Sequence, residues 1–303
     1  MRGARCTADE VIVVAGGQDA IDFTARMLLD RGDAVCVEEP GYPGAVNALR
    51  AHGAVIHPIA VDGEGFDVPR ARAISAPKLI YVTPARQFAL GMPLSPRRRA
   101  ELLAWAAESG AWILEDDYDS EFRYAGPPLP SLQGSDRAGS VILAGTFGKV
   151  LFPALRLGYL VVPPAVAERF IAARSIAVRQ PPGVTQSILA DFMTGGHFAR
   201  HLRRMRELYA ERATTMQELA RELVAGAVEL PSIESGFQTV ARLTSADAES
   251  VSTRLATLGV ESLPVARFAF ADPEPFANAL VLGFAASGPR QLRRGYECLG
   301  RVV

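Results

Sequence analysis

Lysine is nearly absent from this sequence of 303 residues. Of the 32 basic residues two are lysines, Lys78 and Lys149, and the other thirty are arginines. A preference for arginine of this size usually reflects the codon composition of the gene. It also draws attention to the two positions that have lysine instead. Lysine can lose its proton and act as a nucleophilic amine, whereas arginine stays charged. Each lysine is therefore a candidate for amine chemistry.

Cysteine is also scarce, since the sequence has three, which are far apart and form no C-x-x-C pair. This argues against a disulfide framework and against a zinc site. No apolar run approaches the roughly 20 residues of a membrane helix, and the first residues lead into no signal-peptide core. The net charge of −1 gives no general attraction to nucleic acid. We therefore expect a cytoplasmic protein with no membrane or nucleic-acid partner through this chain.

Hydrophobic residues make up 49% of the chain, which is enough for a large core. In the first half, short β-branched runs alternate with helical patterns, as in a parallel sheet covered by helices. The predicted strands are residues 11–15, 34–38, 55–61, 78–83, 112–114, 141–144 and 157–162. The sequence therefore predicts an α/β fold with a mostly parallel seven-stranded sheet.

The pattern changes after the proline pair at 163–164. Helical patterns follow at 165–178 and 185–193, and a long charged one spans 197–224. From residue 226 onward, strand and helix patterns mix again. We predict a large domain over residues 1–200, and a smaller C-terminal α/β domain with a long connecting helix over residues 201–303.

Polar and glycine-rich clusters follow the predicted strands, where open parallel sheets bind their ligands. Gly16 and Gly17 open a helix whose free N–H groups suit a phosphate, although a plain tight turn has the same pattern. The acidic run 115–121 is not a calcium loop, because Phe122 stands where glycine is required. Three alternatives stay open for it: a glycosidase carboxylate pair, a solvated turn, or a carboxylate that pairs with a cationic heterocycle.

The segment that contains Lys149 also follows a predicted strand. It is not a nucleotide-binding loop of the Walker type, because Leu143 and Val150 replace the glycine and the hydroxyl residue of that motif. Arg156 lies seven residues further on, in an apolar stretch, and a buried arginine requires an anionic partner. A phosphate shared with Thr146 and the first helix would supply one.

Residues 38–44, 115–124 and 145–159 together resemble the aminotransferase-like domain of the MocR/GabR group. That group belongs to the fold type I enzymes that use pyridoxal 5'-phosphate (PLP). The resemblance covers essentially the whole chain and weakens after residue 225. It implies the fold type I architecture, PLP as cofactor, an amino acid or related amine as substrate, and a homodimer.

The resemblance also implies roles for individual residues. Lys149 would form the internal aldimine, Asp116 would pair with the pyridinium nitrogen, and Tyr118 would bond the phenolic oxygen of the ring. A carboxylate at the ring nitrogen keeps the ring protonated and able to accept electrons. The cofactor-binding set also includes Gly17, Gln18, Tyr42, Gln87, Thr146 and Arg156. Arg267 would bind the substrate carboxylate, with a surface loop arginine as the alternative.

Three features depart from the family pattern. Gly148 stands before the lysine where serine is common, and Arg86 replaces the usual histidine of the segment 83–89. The chain also starts almost at the first predicted strand, so we expect neither a winged-helix DNA-binding domain nor an N-terminal arm. The sequence predicts a PLP-dependent aminotransferase, or alternatively the effector-sensing domain of a MocR/GabR-type regulator. For His197 and His201, four residues apart, a solvated helix face is favoured over a metal pair, and we expect no metal site.

Overall fold

The computed structural model describes residues 3–179 and 182–303, which form an eight-stranded and a four-stranded sheet surrounded by helices. The larger sheet contains β1 (Val11–Val14), β2 (Ala34–Glu39), β3 (Val55–Asp62), β4 (Gly65–Phe66), β5 (Leu79–Val82), β6 (Trp112–Asp117), β7 (Val141–Thr146) and β8 (Gly158–Val161). The smaller sheet contains β9 (Val228–Glu229), β10 (Gln238–Leu243), β11 (Leu263–Pro264) and β12 (Ala279–Gly283).

The α-helices of the described residues lie between these strands and after them. They are α1 (Gly17–Leu28), α2 (Pro43–Ala51), α3 (Val68–Ala71), α4 (Pro96–Ser109), α5 (Leu132–Ser135), α6 (Pro164–Val178), α7 (Gly183–Thr194), α8 (His197–Leu223), α9 (Ala248–Thr257) and α10 (Pro289–Gly300). Short 3-10 helices span Ala8–Glu10, Pro153–Leu155, Val265–Phe268 and Glu274–Phe276. Within the described ranges, no helix combines the length and the apolar character that a bilayer crossing requires.

The larger sheet has the strand order β1-β8-β7-β6-β5-β2-β3-β4. Strands β7, β6, β5, β2 and β3 run parallel, whereas β8 is antiparallel to β1 and β7, and β4 is antiparallel to β3. The predicted α/β fold is confirmed: all seven predicted strands are present with shifted ends, and the two-residue β4 adds an eighth.

Hydrophobic side chains cover both faces of the larger sheet. Alternate residues of one strand enter different clusters, since Leu79 packs with α1, α2 and α6 while Ile80 packs with α4. A third cluster joins the smaller sheet to α8, α9 and α10. Because β2, β5, β6 and β7 are parallel, their carboxyl ends meet at one edge of the larger sheet, where the predicted site residues follow the strands.

Candidate active site at the carboxyl edge of the sheet

A cavity of about 270 Å³ lies where the carboxyl ends of the parallel strands meet the start of α1. Its wall contains most of the residues that are predicted from the sequence to bind the cofactor. They are Gly17, Gln18, Tyr42, Asp116, Tyr118, Thr146, Lys149 and Arg156. Residues that are far apart in the sequence are therefore brought to one site.

One part of the cavity wall has the chemistry of an anion-binding cup. Gly17 begins α1, and the first N–H groups of a helix have no partner within it. A Cβ atom at Gly158 would lie 2.9 Å from the Cα atom of Gly16, so the absence of a side chain at Gly158 lets the strand that follows Arg156 lie close to the helix start. The guanidinium of Arg156 is exposed and has no ion pair among the described residues. A helix start beside an unpaired guanidinium fits a phosphate.

A partly buried ion pair supports this helix start. Asp19, in the first turn of α1, accepts a hydrogen bond from the Ala15 N–H at 2.7 Å. Arg174 of α6 is buried and donates to both Asp19 oxygens, at 2.8 and 3.3 Å. Because the guanidinium neutralises the carboxylate, Asp19 can shape the loop without repelling an anion in the cup.

At the end of β6, Asp116 is a buried carboxylate with no cationic partner among the described residues. It accepts one hydrogen bond at 2.6 Å, from the hydroxyl of Tyr81. Burial raises the pKa of Asp116 to about 6 despite this hydrogen bond, and the charge of Asp117 adds to the rise. A cation placed in the cavity beside Asp116 would reverse that shift.

Aromatic side chains form a further wall of the cavity. Tyr42, the residue before α2, donates a hydrogen bond from its hydroxyl to the Gln18 side-chain oxygen at 3.2 Å. The ring centroids of Tyr42 and Phe88 are 5.5 Å apart in an edge-to-face arrangement. A Cβ atom at Gly44 would overlap the Tyr42 ring and lie 2.6 Å from the side-chain oxygen of Gln18. The absence of a side chain at Gly44 therefore lets Tyr42 occupy this position.

Lys149 lies in the loop after β7 and is exposed at the cavity wall. The first turns of α8 hold this loop, because the His201 Nε2–H donates to the Val150 carbonyl at 2.9 Å. The ring of Phe198 also packs 6.1 Å from that of Phe147. His201 is thus half-buried against the lysine loop rather than simply solvated, while His197 stacks on Phe192 and hydrogen-bonds Arg200.

Comparison with known proteins agrees with this geometry. The family model for aminotransferases of class I and II matches residues 3–277. The chain belongs to the class I and II aminotransferase family. Among curated members it is 43% identical to the probable rhizopine catabolism regulatory protein MocR of Rhizobium meliloti, over 98% of this chain and 60% of that protein. The predicted resemblance to MocR-type proteins is confirmed.

Solved aminotransferase structures share the fold. LysN, the α-aminoadipate aminotransferase of Thermus thermophilus complexed with N-(5'-phosphopyridoxyl)-L-leucine, gives a TM-score of 0.87 at 28% identity, over 97% of this chain and 77% of that one. The kynurenine aminotransferase of Pyrococcus horikoshii in complex with PMP gives 0.86 at 26% identity, over 96% and 74%. The chain spans 48% to 63% of the length of the first curated relatives that it matches.

Two predicted site residues of this family member do not line the cavity. The buried Gln87 side chain donates to the Pro40 carbonyl at 2.6 Å and to the Phe88 carbonyl, so it joins two loops behind the wall. Arg267 is exposed and pairs with Glu249 on α9. The geometry therefore does not support a ring contact for Gln87 or a substrate contact for Arg267.

Several cavity residues were not assigned as ligands from the sequence. Tyr81 is the one residue with a polar group in the buried strand β5, whose other residues are aliphatic. A single hydroxyl in an apolar strand was the sequence feature that could have indicated a site residue. Phe237 and Gln238 line the cavity from the C-terminal part of the chain, where no motif marked them. Arg86, which departs from the family pattern, has its guanidinium buried in the wall.

Proposed function

We propose that this chain is a PLP-dependent aminotransferase domain that acts on an amino acid or related amine through Lys149. The observation that carries the proposal is the convergence in one cavity of a lysine, a buried carboxylate and an anion cup. Each is a requirement of that chemistry: an amine that can lose its proton, a partner for a ring cation, and a binding site for a phosphate.

The unpaired charges of the cavity fit the cofactor. Within residues 3–179 and 182–303 no cation pairs with the buried carboxylate of Asp116, and a pyridinium nitrogen would supply one. Arg156 is a cation without an anion among the described residues, and the phosphate would supply that one. When bound, PLP withdraws electrons from a bond at the substrate α-carbon and so makes that bond easier to break.

The residues of the chain then have distinct tasks. Lys149 would hold the cofactor through its amine and, when free, would be placed to move the proton of the substrate α-carbon. Asp116 would keep the ring nitrogen protonated, and Tyr118 would donate to the phenolic oxygen. Tyr42 would pack on the ring face, while Arg156, Thr146 and the α1 N–H groups of Gly17 and Gln18 would hold the phosphate.

A second function is favoured by the identity values. The 43% identical relative is named as a regulatory protein, and a 33% identical relative is named as the transcriptional regulator TauR of Rhodobacter capsulatus. The 2-aminoadipate transaminase of Thermus thermophilus is 29% identical. In this alternative the same cavity binds PLP and an amine as an effector, with little or no turnover.

The first experiment identifies the lysine that holds the cofactor. The protein is loaded with PLP, treated with borohydride to fix the bond, and mapped by peptide mass spectrometry. Because the chain has two lysines, the assignment is unambiguous. We expect the label on Lys149, its loss together with the visible absorption band in Lys149→Arg, and no change in Lys78→Arg. A label on Lys78, or an unlabelled wild-type protein, would refute the proposal.

The second experiment separates catalysis from sensing. The loaded protein is mixed with amino acids, and both the visible spectrum and the released keto acid are measured. Conversion to the pyridoxamine form with keto acid supports the aminotransferase, since the amino group has then moved from substrate to cofactor. A spectral change without keto acid supports the sensing domain.

A further inference from the structure

One arginine, Arg86, is buried in the wall of the cavity that is proposed to bind the cofactor. Arg86 lies in the loop after β5 and is 3% exposed. Its Nη1 donates to the Tyr118 hydroxyl oxygen at 3.1 Å and lies 3.4 Å from Asp119 Oδ2. Its Nη2 donates to the carbonyl of Gln238. Both terminal nitrogens are therefore engaged by the protein itself.

Two glycines close the backbone over this guanidinium. Gly91 and Gly236 have φ angles of 87° and 86°, which residues with side chains rarely adopt. A Cβ atom at Gly236 would overlap Arg86, and one at Gly91 would lie 3.2 Å from its Nη2. Because the chain wraps around Arg86 so closely, the arginine is poorly placed to move out and bind a substrate.

The direction of the Tyr118 hydrogen bond follows from the chemistry of its partner. A guanidinium has donors and no acceptor, so the Tyr118 oxygen must accept from Arg86. The hydroxyl hydrogen of Tyr118 cannot point at the same group, and it has no acceptor among the described residues. It is therefore left for an acceptor inside the cavity, which Tyr118 lines.

We propose that Arg86 is a positioning residue that fixes the Tyr118 hydroxyl as a donor toward the phenolic oxygen of the bound cofactor. The inference rests on the proposed function for the identity of that acceptor. A histidine, the usual family residue at this place, can donate or accept through its ring nitrogens and would leave the direction open. Because arginine can only donate, it fixes the Tyr118 oxygen as the acceptor of this hydrogen bond.

The carboxylate of Asp119 compensates the buried positive charge of Arg86. It is 1% exposed and is the carboxylate within ion-pair distance of Arg86. Burial raises the pKa of Asp119 to about 7, against the lowering effect of the positive charge of Arg86. The other ionisable groups that act on this corner are Asp116, Asp117, Tyr124 and Lys149.

A double-mutant cycle on the loaded protein, without substrate, tests the proposal. The readout is the pH midpoint at which the visible band of the bound cofactor changes, for wild type, Arg86→Met, Tyr118→Phe and the double variant. A donor at the phenolic oxygen stabilises the deprotonated chromophore, so each single variant is expected to raise the midpoint by about one pH unit. The double variant is expected to match Tyr118→Phe, because Arg86 acts through Tyr118.

Additive shifts, or an Arg86→Met midpoint equal to that of wild type while Tyr118→Phe shifts, would overturn the inference. Arg86→Lys keeps a charge and a donor and should restore most of the wild-type midpoint. If Arg86→Met does not fold, Arg86→Met with Asp119→Asn removes both charges and replaces it in the cycle. A wild-type protein that takes up no cofactor would instead refute the proposed function, and this inference with it.

A second readout needs no cofactor. In cofactor-free Arg86→Met, Asp119 is buried without its cation, so the free energy of unfolding should fall below that of wild type as the pH rises through 7. Adding Asp119→Asn should remove this pH-dependent difference. An unfolding free energy of Arg86→Met that follows that of wild type at every pH would show that the two charges are not coupled.

Discussion

At the scale of single residues, the candidate site contains charges that no side chain in the described part of the chain balances. Asp116 is 7% exposed. Among the described residues, Tyr81 is the one side chain that donates a hydrogen bond to it. Its folded-state pKa of about 6 lies above the ordinary value of 3.8, so its ionisation opposes folding of the cofactor-free protein. Ligand binding would then recover the stability that the empty cavity lacks.

Replacement of Asp116 by Asn should therefore have opposite effects on the two forms of the protein. Without cofactor, wild type loses stability as the pH rises from about 4 to 6, by roughly 3 kcal/mol if the whole shift acts on folding. Asp116→Asn should lack this loss, because its amide does not ionise. With PLP present, the variant should bind the cofactor more weakly, because the ring nitrogen loses its counter-charge.

Urea unfolding of both proteins between pH 4 and 7.5 measures the first effect, and titration with PLP measures the second. The exposed Asp30 provides the control, since Asp30→Asn should leave both quantities at their wild-type values. Parallel stability curves for wild type and Asp116→Asn would show that burial of this carboxylate does not oppose folding.

The direction of a side chain is what the sequence could not supply. Lys149 and Asp116 reach the cavity as predicted, because they follow parallel strands whose ends must meet. Gln87 occupies an equally motif-rich segment, yet its amide satisfies two carbonyls behind the wall. Arg267 turns to Glu249, and the neighbouring Phe268 packs 5.2 Å from the Phe88 ring instead. Two adjacent residues thus have opposite surroundings, one in an aromatic contact and the other in a surface ion pair.

At the scale of elements, the helices and strands that could be predicted from the sequence are those long enough to show a periodic hydrophobic pattern. The helix pattern at 197–224 corresponds to α8, and the seven longer strands of the large sheet were all found. The two-residue strands β4 and β9 and the four-residue helices α3 and α5 were not predicted. Such short elements exist because tertiary contacts hold them, and they carry too few residues for a pattern.

Close packing of β8 against the α1 loop gives a prediction about that element. A Cβ atom at Gly158 would lie 2.7 Å from the Gly145 carbonyl oxygen and 2.9 Å from the Gly16 Cα atom. Gly158→Ala should therefore lower the unfolding free energy by about 1–3 kcal/mol and weaken phosphate-dependent PLP binding, because Gly16 must move. The strand residue Gly283, whose Cβ would meet nothing within 4 Å, is the matched control. Equal effects of Gly158→Ala and Gly283→Ala on PLP affinity would contradict this account.

At the scale of the whole molecule, the hydrophobic clusters of the large and small sheets come from different parts of the chain. The clusters of the large sheet end at Phe170, and the cluster of the small sheet begins at Ala213. Contacts nevertheless join the two parts, since Glu39 accepts hydrogen bonds from the backbone N–H groups of 270–272. The division into residues 1–200 and 201–303 stays a prediction, and the helix α8 runs unbroken through it.

One stretch of the surface exposes more large apolar side chains than the surface of a monomeric protein usually does. Six large apolar side chains within residues 171–193 are more than a third exposed: Ile171, Ile176, Val178, Val184, Ile188 and Met193. They lie on α6 and α7, and α6 also buries Ala167 and Phe170 in the core. A helix that is apolar on its buried and its exposed sides indicates a partner. We propose that the partner is a second copy, as the family resemblance implies.

Substitution of one exposed residue in this stretch tests the homodimer. Ile188 is 61% exposed, and an aspartate there would place a charge in the proposed interface. Ile188→Asp should therefore be monomeric in sedimentation equilibrium under conditions in which wild type is dimeric, with an unfolding midpoint that no longer rises with protein concentration. Val55, which is 49% exposed outside this stretch, provides the control, and Val55→Asp should remain dimeric. A monomeric wild type, or a dimer that Ile188→Asp leaves intact, would exclude α7 as the contact surface.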